Sequence, residues 1–441
     1  MNKKANIFPL LLKIFITIAT ITCLECIALI FVAMIPQKSI EKQVNESADI
    51  LLEQSVFFSL NEKDIASKID RYADSILLNI AYSYDSKHPV ESVMHSSYYH
   101  EDTQNENLNL KEAVRMNLTP NTDYIRYWHG SNIILKPLLL IMNIKEIYIL
   151  NAILLFILLS IFLILLQKRI HLGAFICMIL SCVTISIWYV PFSLEYTCTF
   201  VIMLIFSIIS LYIYKMEPST LFCFFVAFGN ITAYFDFLTT ETLTFSLPII
   251  CIISMQYKNN ILHTLSDYLQ FLCKTGIAWL TGYASAWIMK WSISSIVLNI
   301  NTFQLALHQA NTRFIGQVED ISFAQQTFGS FARNISCLVP FNYLTEHTLL
   351  IVLLTINFIA ILYYLFRKKK SPYISNILFF IALIPYIRFV ILSNHSYIHY
   401  FFTYRAQLTS IFALGLAFIY GIDQSLIQKE WSKLWKTKKK K

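Results

Sequence analysis

Apolar runs separated by short polar segments make up most of the chain. Each run is about 20 residues long, the length that a helix needs to cross the hydrocarbon core of a bilayer. About ten such runs can be read, at residues 7–35, 147–166, 172–190, 197–214, 219–235, 243–257, 274–298, 347–366, 373–393 and 401–422. The pattern predicts an all-α polytopic membrane protein with about ten transmembrane helices.

Basic residues recur at every second junction between these runs. They stand at Lys168 and Arg169, Lys215, Lys258, 367–370 and the tail 429–441. Because loops rich in Lys and Arg stay in the cytoplasm, this spacing predicts a multi-pass protein of the cell membrane with both termini cytoplasmic. The first run follows Lys3 and Lys4 but is too long for a cleaved signal peptide, so we expect an uncleaved anchor.

Composition supports the membrane assignment. The 441 residues are 56% hydrophobic and 14% charged, whereas soluble domains carry roughly a quarter charged residues. The net charge is +8, but the surplus lies beside apolar runs, which favours an anionic lipid surface over nucleic acid as its partner. Most of the nine cysteines lie inside apolar runs, where a thiol packs as a small hydrophobe, so neither a disulfide framework nor a zinc site is predicted.

The topology divides the chain into six segments. They are the anchor 1–35, an external loop 36–146 with an interfacial helix, transmembrane helices two to seven in 147–298, an external loop 299–346, transmembrane helices eight to ten in 347–422, and a basic cytoplasmic tail 423–441. Apolar spacing predicts helices around 50–60 and 69–80, and an amphipathic cytoplasmic helix at 258–273. The run 133–142 is too short to span, which suits the interfacial helix.

Two carboxylates of the first external loop are spaced for chemistry. Asp70 and Asp74 are four residues apart, which places both on one face of a helix about one turn apart. Such a pair can act as a general base or bind a divalent cation. Lys68 and Arg71 nearby allow the alternative that both acids form ion pairs on a solvent-facing surface.

Aromatic and basic residues cluster at the membrane boundary in two further places. They are Arg126, Trp128 and His129 before the interfacial helix, and His395, His399 and Arg405 around the start of the last span. Cationic side chains there can hold a phosphate at the lipid surface, while aromatic anchoring at the interface explains the same clusters without a ligand. His395 and His399 can share a helix face, which also suits a metal ion.

Four ionisable residues lie in or beside apolar runs. Asp236 stands between two phenylalanines where a span ends, a costly place for an acid that is neither paired nor used. Glu25, Lys290 and Arg388 fall at similar depths within their spans. Glu25 could pair with Lys290 or with Arg388, or the two cations could face a lipid phosphate.

The layout resembles the C-type glycosyltransferase superfamily, whose members use polyprenyl-phosphate sugars. The likeness lies in the long acidic first external loop and in the juxtamembrane motif Tyr127-Trp128-His129-Gly130 before Lys136-Pro137. The phrases 126–130, 236–239, 394–399 and 402–405 also look similar to an uncharacterised group of polytopic proteins in Gram-positive bacteria. The first loop has no Asp-Asp or Asp-Glu dipeptide, so the sequence does not decide whether Asp74 or Asp70 is the base.

The resemblance implies an inverting glycosyltransferase that moves a sugar from a polyprenyl-phosphate donor to a cell-surface glycan or lipid acceptor. Asp74 or Asp70 would be the base, and Asp236 would bind the sugar or a Mg²⁺ or Mn²⁺ ion. The substrate-binding residues would be His129, Arg126, Trp128, His395, His399, Arg405 and Lys290. A transporter or flippase for a lipid-linked sugar, or a polysaccharide polymerase or ligase, is the alternative. Polar groups gathered on one side of the membrane favour the enzyme over the transporter.

Overall fold

The protein is described by a computed structural model for residues 8–62, 64–307, 316, 321–338, 348–369 and 372–429. The structure is 77% helical, and six of its helices are long and apolar enough to cross a membrane. The prediction of an all-α membrane protein is therefore confirmed. The predicted basic tail after 429 and most of 308–320 and 339–347 lie outside the described residues.

Helices form nearly all of the regular structure in the described part of the chain, and the sheet found there has two strands. The helices are α1 (Phe8–Ala33), α2 (Gln37–Leu52), α3 (Arg71–Ser83), α4 (Pro89–His95), α5 (Glu106–Met116), α6 (Asn132–Leu138), α7 (Ile144–Leu165), α8 (Leu172–Thr184), α9 (Leu194–Ile213), α10 (Pro218–Phe235), α11 (Leu243–Lys258), α12 (Leu265–Leu298), α13 (Phe323–Ser336), α14 (Thr348–Phe366), α15 (Tyr373–Ala382), α16 (Ile384–Ile391), α17 (Ser393–Ile398), α18 (Tyr400–Thr403) and α19 (Leu408–Gly421). Shorter turns of helix lie at Ile65–Ser67, Leu166–Ile170, Ile187–Phe192 and Tyr404–Gln407. The strands β1 (Phe57–Ser59) and β2 (Lys68–Asp70) pair in antiparallel fashion.

The membrane-length helices coincide with predicted apolar runs. They are α1, α7 with its following turn, α9, α10, α15 with α16, and α18 through α19. Three further runs correspond to the shorter apolar helices α8, α11 and α14. The predicted span at 274–298 lies within α12, which is 34 residues long.

Of two helices predicted near polar segments, one is wrong and the other is found only in part. The helix expected at 50–60 ends at Leu52, where the Arg71 guanidinium donates to the Ile50 and Leu51 carbonyls, and Phe57–Ser59 forms β1 instead. Aromatic residues favour a strand once a partner strand is available. The amphipathic helix expected at 258–273 is found in part: residues 265–273 form the first turns of α12, which a capping box at Thr264 starts at Leu265.

The helices of the polar segment 36–146 pack around a core that they share with the starts of α7 and α9. Ile40 and Val44 of α2, Leu78 of α3 and Leu110 of α5 are buried together there. The short α6 corresponds to the predicted interfacial helix and joins the same core through Leu135. The segment is therefore a small, partly helical unit that packs on the membrane helices. The spacing of its apolar residues predicted one of its helices, α3.

α10 and α12 approach most closely through two glycines. A Cβ atom added to Gly229 would collide with the Trp279 carbonyl, and one added to Gly282 would collide with the Val226 carbonyl. Small residues that let two backbones touch are typical of helix pairs in membranes. This close packing holds the end of α10, and the turn at Asp236 that follows it, against α12.

The second polar segment contributes α13, whose polar face is turned inward. Gln326 and Asn334 are buried, whereas Phe328 on the opposite face is 75% exposed. Gln326 donates to the Ser393 hydroxyl (3.0 Å), and Asn334 donates to the Ser396 carbonyl (3.0 Å). Through these bonds α13 holds α17 in place.

Glu25, Lys290 and Arg388 lie within predicted spans. Glu25 pairs with neither of the two cations, the partners that were expected for it. Arg388 forms a buried ion pair with Glu241, its Nε 2.9 Å from the carboxylate. The Lys290 amine donates to the Val93 and Met94 carbonyls at the end of α4. Glu25 instead faces the Asn230 amide, whose nitrogen can donate to both carboxylate oxygens at 3.1 and 3.2 Å.

Candidate functional site

A pocket of about 90 Å³ forms where five distant segments of the chain meet. They are the start of α3, the loop before α6, the start of α9, the turn after α10, and α17 with the residues after it. The lining residues are Asp70, Tyr72, Ala73, Ile76, Leu77, Tyr124, Tyr127, His129, Glu195, Phe237, His395, His399 and Phe402. The structure thus brings Asp70, His129, His395 and His399, four of the predicted site residues, to one place.

Asp70 lies at the junction of β2 and α3 and faces this pocket. Its Oδ1 accepts a hydrogen bond from the Ala73 amide (2.9 Å), so it serves as the N-cap of α3. Burial raises the pKa of Asp70 to about 6, although the Ala73 amide and the charge of Lys68 oppose this rise. A carboxylate with this pKa is largely ionised at neutral pH and can accept a proton.

Asp74, one turn further along α3, is completely buried and is not part of the pocket lining. It accepts hydrogen bonds from the Tyr148 hydroxyl (2.5 Å) and from the Leu194 amide (2.9 Å). Burial raises its pKa to about 7, and the Tyr148 bond opposes this rise. Asp74 therefore connects α3 to α7 and to the start of α9. The alternative of solvent-facing ion pairs is wrong, since Asp70 is only 4% and Asp74 0% exposed.

The histidines of the last cluster stand side by side in the pocket. The rings of His395 and His399 are 4.7 Å apart between centroids, and His399 stacks on Phe402 at 5.2 Å. α17 is held from behind by Arg388, whose Nη1 donates to the Ser396 hydroxyl at 3.0 Å. Both imidazoles therefore line the pocket from a segment that Arg388 holds in place.

His129 has a different character from the other two histidines. Its backbone is left-handed, with φ 55°, and its Nε2 lies 3.0 Å from the Tyr124 carbonyl, to which it donates as N–H. Burial lowers the pKa of His129 to about 3. The residue is thus neutral at physiological pH. The prediction that it holds a phosphate by its charge is revised, and a neutral imidazole suits an uncharged partner such as a hydroxyl group.

Arg126 and Trp128 occupy opposite sides of the same motif. The Arg126 guanidinium lies over the Tyr124 ring (4.2 Å) and the Tyr127 ring (5.4 Å), both of which line the pocket. Arg126 is therefore placed at the pocket edge. Trp128 is 0% exposed and donates to the Ala286 carbonyl of α12 (2.7 Å), so it anchors the motif and is not among the residues that line the pocket.

The turn after α10 places Phe237 in the pocket, and Asp236 holds the turn. One Asp236 oxygen accepts from the Thr199 hydroxyl and from the Thr239 hydroxyl and amide, and the other accepts from the Leu238 amide. Leu238 has a left-handed backbone, with φ 66°. Burial raises the pKa of Asp236 to about 6, which the Glu241 charge reinforces.

These bonds bear on the predicted Mg²⁺ or Mn²⁺ ion at Asp236. A carboxylate offers about four lone-pair sites; three donors share one Asp236 oxygen, and the Leu238 amide takes one site of the other. Asp236 is therefore engaged mainly by the turn that it holds, and its assignment as a metal ligand stays a prediction. Within the described residues, no group of three His, Cys, Asp or Glu side chains is placed to hold a metal ion.

Two predicted phosphate ligands are placed elsewhere. Lys290 is fully buried beneath the end of α4, where it also lies 5.4 Å from the Trp128 ring. Arg405 is 1% exposed and donates to the Ala66 and Phe401 carbonyls. Both cations therefore dock distant backbone segments, and neither lines the pocket.

An apolar cleft of about 290 Å³ lies beside the pocket, at the level of the membrane helices. Leu138 of α6, Ile147 and Leu154 of α7, Val201 of α9 and Phe235 of α10 are among its lining residues. Leu194 also lines the cleft, and the next residue, Glu195, lines the pocket. Adjacent residues at the start of α9 thus line the pocket and the apolar cleft.

Glu195 and most of the pocket's aromatic rings were not predicted. Glu195 lies in the first turn of α9, where an acid is typical of any helix start, so no signal in the sequence distinguishes it. Tyr72, Phe237 and Phe402 were interpretable only as packing residues. Two carboxylates, three imidazoles and five further rings line the pocket, which therefore offers a ligand both hydrogen-bonding groups and apolar faces. The chain matches no protein-family model, no curated protein and no solved structure.

Proposed function

We propose that this protein is a membrane glycosyltransferase that moves a sugar from a polyprenyl-phosphate donor to a glycan or lipid acceptor. The observation that carries the proposal is the convergence of Asp70, His129 and the His395–His399 pair on one pocket. These residues lie on three segments that are far apart in the chain. An apolar cleft next to that pocket supports a substrate that is part sugar and part lipid.

In the proposed reaction Asp70 is the base. Its carboxylate takes the proton of an acceptor hydroxyl, the hydroxyl oxygen bonds to the anomeric carbon, and the bond from that carbon to the lipid phosphate oxygen breaks. The lipid phosphate leaves with the bonding electron pair, and the sugar inverts its configuration. Asp74 acts as a positioning residue, because its bonds set the start of α9 against α3.

The leaving phosphate needs positive or hydrogen-bonding groups at the pocket. His395 and His399 line it, and Arg126 lies at its edge against Tyr124 and Tyr127. These three side chains are the proposed phosphate ligands. His129, being neutral, is proposed to bind a sugar hydroxyl, and the lipid chain is proposed to occupy the apolar cleft between α6, α7, α9 and α10.

We also propose the finer topology of ten spans with both termini cytoplasmic, which puts the pocket on the outer face of the cell membrane. The spacing of Lys and Arg supports this orientation. In a variant without native cysteines, Lys87→Cys should react with an impermeant maleimide in intact cells, because Lys87 is exposed on the 36–146 segment. Labelling that requires lysed cells would reverse the orientation.

Turnover of a defined donor tests the proposed function. The protein in lipid nanodiscs, supplied with a cell-wall and lipid extract of its host as acceptor, should release undecaprenyl phosphate from at least one undecaprenyl-phosphate hexose. Donors that carry glucose, galactose, mannose or N-acetylglucosamine form the panel, and mass spectrometry follows the release. Empty nanodiscs are the control. Uncleaved donor that crosses the bilayer of protein-containing liposomes would instead support the transporter or flippase.

A further inference from the structure

The helix α13 has the opposite polarity to a helix that lies in water. Its inward face carries Gln326, Ser330 and Asn334, which are buried. Residues three or four apart share one face of a helix, and the opposite, outward face consists of Ala324, Phe328, Ala332 and Ile335. A helix surrounded by water turns its polar face outward, so the polarity of α13 indicates an apolar medium around it.

The inward face is bonded to the start of a candidate membrane span. The Asn334 side-chain oxygen accepts from the Thr403 hydroxyl (2.8 Å), and the Asn334 backbone carbonyl accepts from the Gln407 side chain (2.9 Å). Both partners lie within Tyr400–Gly421, a helix long and apolar enough to cross a membrane. Phe402, at the same end of this span, lines the pocket. α13 therefore lies at the depth where the span begins, on the pocket side of the membrane.

A second candidate span borders the outward face of α13. The rings of Phe331 and Tyr386 stack, with 6.1 Å between centroids and 17° between planes, and Tyr386 belongs to the candidate span Tyr373–Ile391. Ile387 and Ile391 of that span are 54% and 53% exposed. Because isoleucines exposed on a spanning helix face lipid chains, the outward face of α13 adjoins a surface that lipid already covers.

Arg333 lies on the flank of α13, between the inward and outward faces. Its guanidinium is 3.7 Å from the centroid of the Tyr397 ring and 5.2 Å from that of Tyr400. The side chain is exposed, and it donates to the Tyr397 hydroxyl (2.9 Å) and carbonyl (3.1 Å). An arginine that extends to tyrosine rings is typical of the headgroup region of a bilayer, which places this flank at the level of the lipid phosphates.

We propose that α13 is embedded in the leaflet on the pocket side of the membrane, with its outward face in contact with lipid acyl chains. The inference goes beyond the proposed function and does not depend on it. Acyl chains are the partner that fits, because the outward face offers hydrocarbon and adjoins a lipid-covered span. α13 also holds α17 through Gln326 and Asn334. Lipid would therefore support the segment that carries His395 and His399.

The accessibility of spin labels in lipid nanodiscs tests the proposal. In a full-length variant without native cysteines, nitroxides are attached at Phe328→Cys and at Ala324→Cys on the same face. Power-saturation EPR compares their collisions with oxygen, which concentrates in hydrocarbon, and with a water-soluble nickel chelate. Both labels should collide several-fold more with oxygen, as should a label at Phe358→Cys, an exposed position of α14. Lys87→Cys, exposed on the 36–146 segment, is the water control and should show the reverse order.

Any other result at the two α13 positions overturns the proposal. Preferential collision with the nickel chelate would place the outward face in water. Protection from both reagents would show that protein covers this face, and dipolar broadening between labels would identify that protein as a second copy of the chain. The measurement involves no donor and no acceptor, so the outcome for α13 is independent of the outcome for the proposed transferase.

Discussion

Replacing Asp70 by Asn is expected to lower the rate of sugar transfer by about 10²- to 10⁴-fold, the usual effect of removing a general base. Asn keeps the side-chain oxygen that caps α3 at Ala73, and Asn and Asp are equally good N-caps. The variant should therefore fold and insert like the wild type. The release of undecaprenyl phosphate is the measurement, and it should fall while the thermal unfolding temperature stays within a few degrees.

Asp64→Asn is the matched control for this substitution. Asp64 is also buried and also caps a helical turn, with its Oδ1 accepting from the Ala66 amide at 3.0 Å, but it does not line the pocket. Its variant should transfer sugar at the wild-type rate. Full transfer by Asp70→Asn, or an equal loss in Asp64→Asn, would contradict the role of Asp70 as base.

The same assignment predicts a pH dependence. Because the base must be ionised, kcat/KM should rise with pH and level off above about pH 6, the value to which burial raises the pKa of Asp70. Stability should change in the opposite direction. A carboxyl with a raised pKa binds its proton more tightly in the folded protein than in the unfolded chain, so the free energy of unfolding falls as the pH rises from about 4 towards 6. A rate that is constant between about pH 5 and 8 would contradict the assignment.

Removal of the Arg388 side chain is expected to cause the largest loss of stability, about 3–5 kcal/mol, because it leaves a buried carboxylate without its cation. Arg388→Ala would free the Glu241 carboxylate, the Leu238 and Thr239 carbonyls and the Ser396 hydroxyl together. The turn after α10 and α17 would then lose their connection. Thermal unfolding in detergent and the amount of inserted protein would measure the effect.

Two further variants make this prediction specific. Arg333→Ala is the control, because Arg333 also binds the end of α17 through the Tyr397 carbonyl and hydroxyl but is solvent-exposed. Its loss should cost less than about 1 kcal/mol. The double variant Arg388→Met with Glu241→Gln should recover much of the stability, since no charge is then left buried alone. A double variant no more stable than Arg388→Ala would show that the ion pair is not the cause.

The apolar pattern predicted the membrane helices because a span must be apolar over its whole length, a requirement that leaves a continuous signal in the sequence. The ends of the helices were harder to predict from the sequence. The start of α12 could have been found from Thr264 and Asp267, whose three-residue spacing is that of a capping box. The end of α2 could not, because it depends on Arg71, which is distant in sequence and binds the last carbonyls of the helix.

The sequence also predicted part of the candidate site. Asp70 stood out by its four-residue spacing from Asp74, and His129, His395 and His399 stood out as polar residues near a membrane boundary; the structure gathers all four in the pocket. Arg405 stood out by the same criterion. Its guanidinium, however, is engaged by the Ala66 carbonyl from the far end of the chain, and no local pattern distinguishes a carbonyl partner from a phosphate.

The gathering of the pocket from both ends of the chain has a consequence for biosynthesis. Asp70 leaves the ribosome early, whereas α17, with His395, follows only after most of the membrane helices have been made. A nascent chain inserted up to α12 already contains the proposed base, but it lacks His395 and His399, which are proposed to bind the donor's phosphate. Translation products that end before the last helices would therefore be inserted in the bilayer without an assembled site. The proposed activity would appear only in one late step, when α17 packs against the turn after α10.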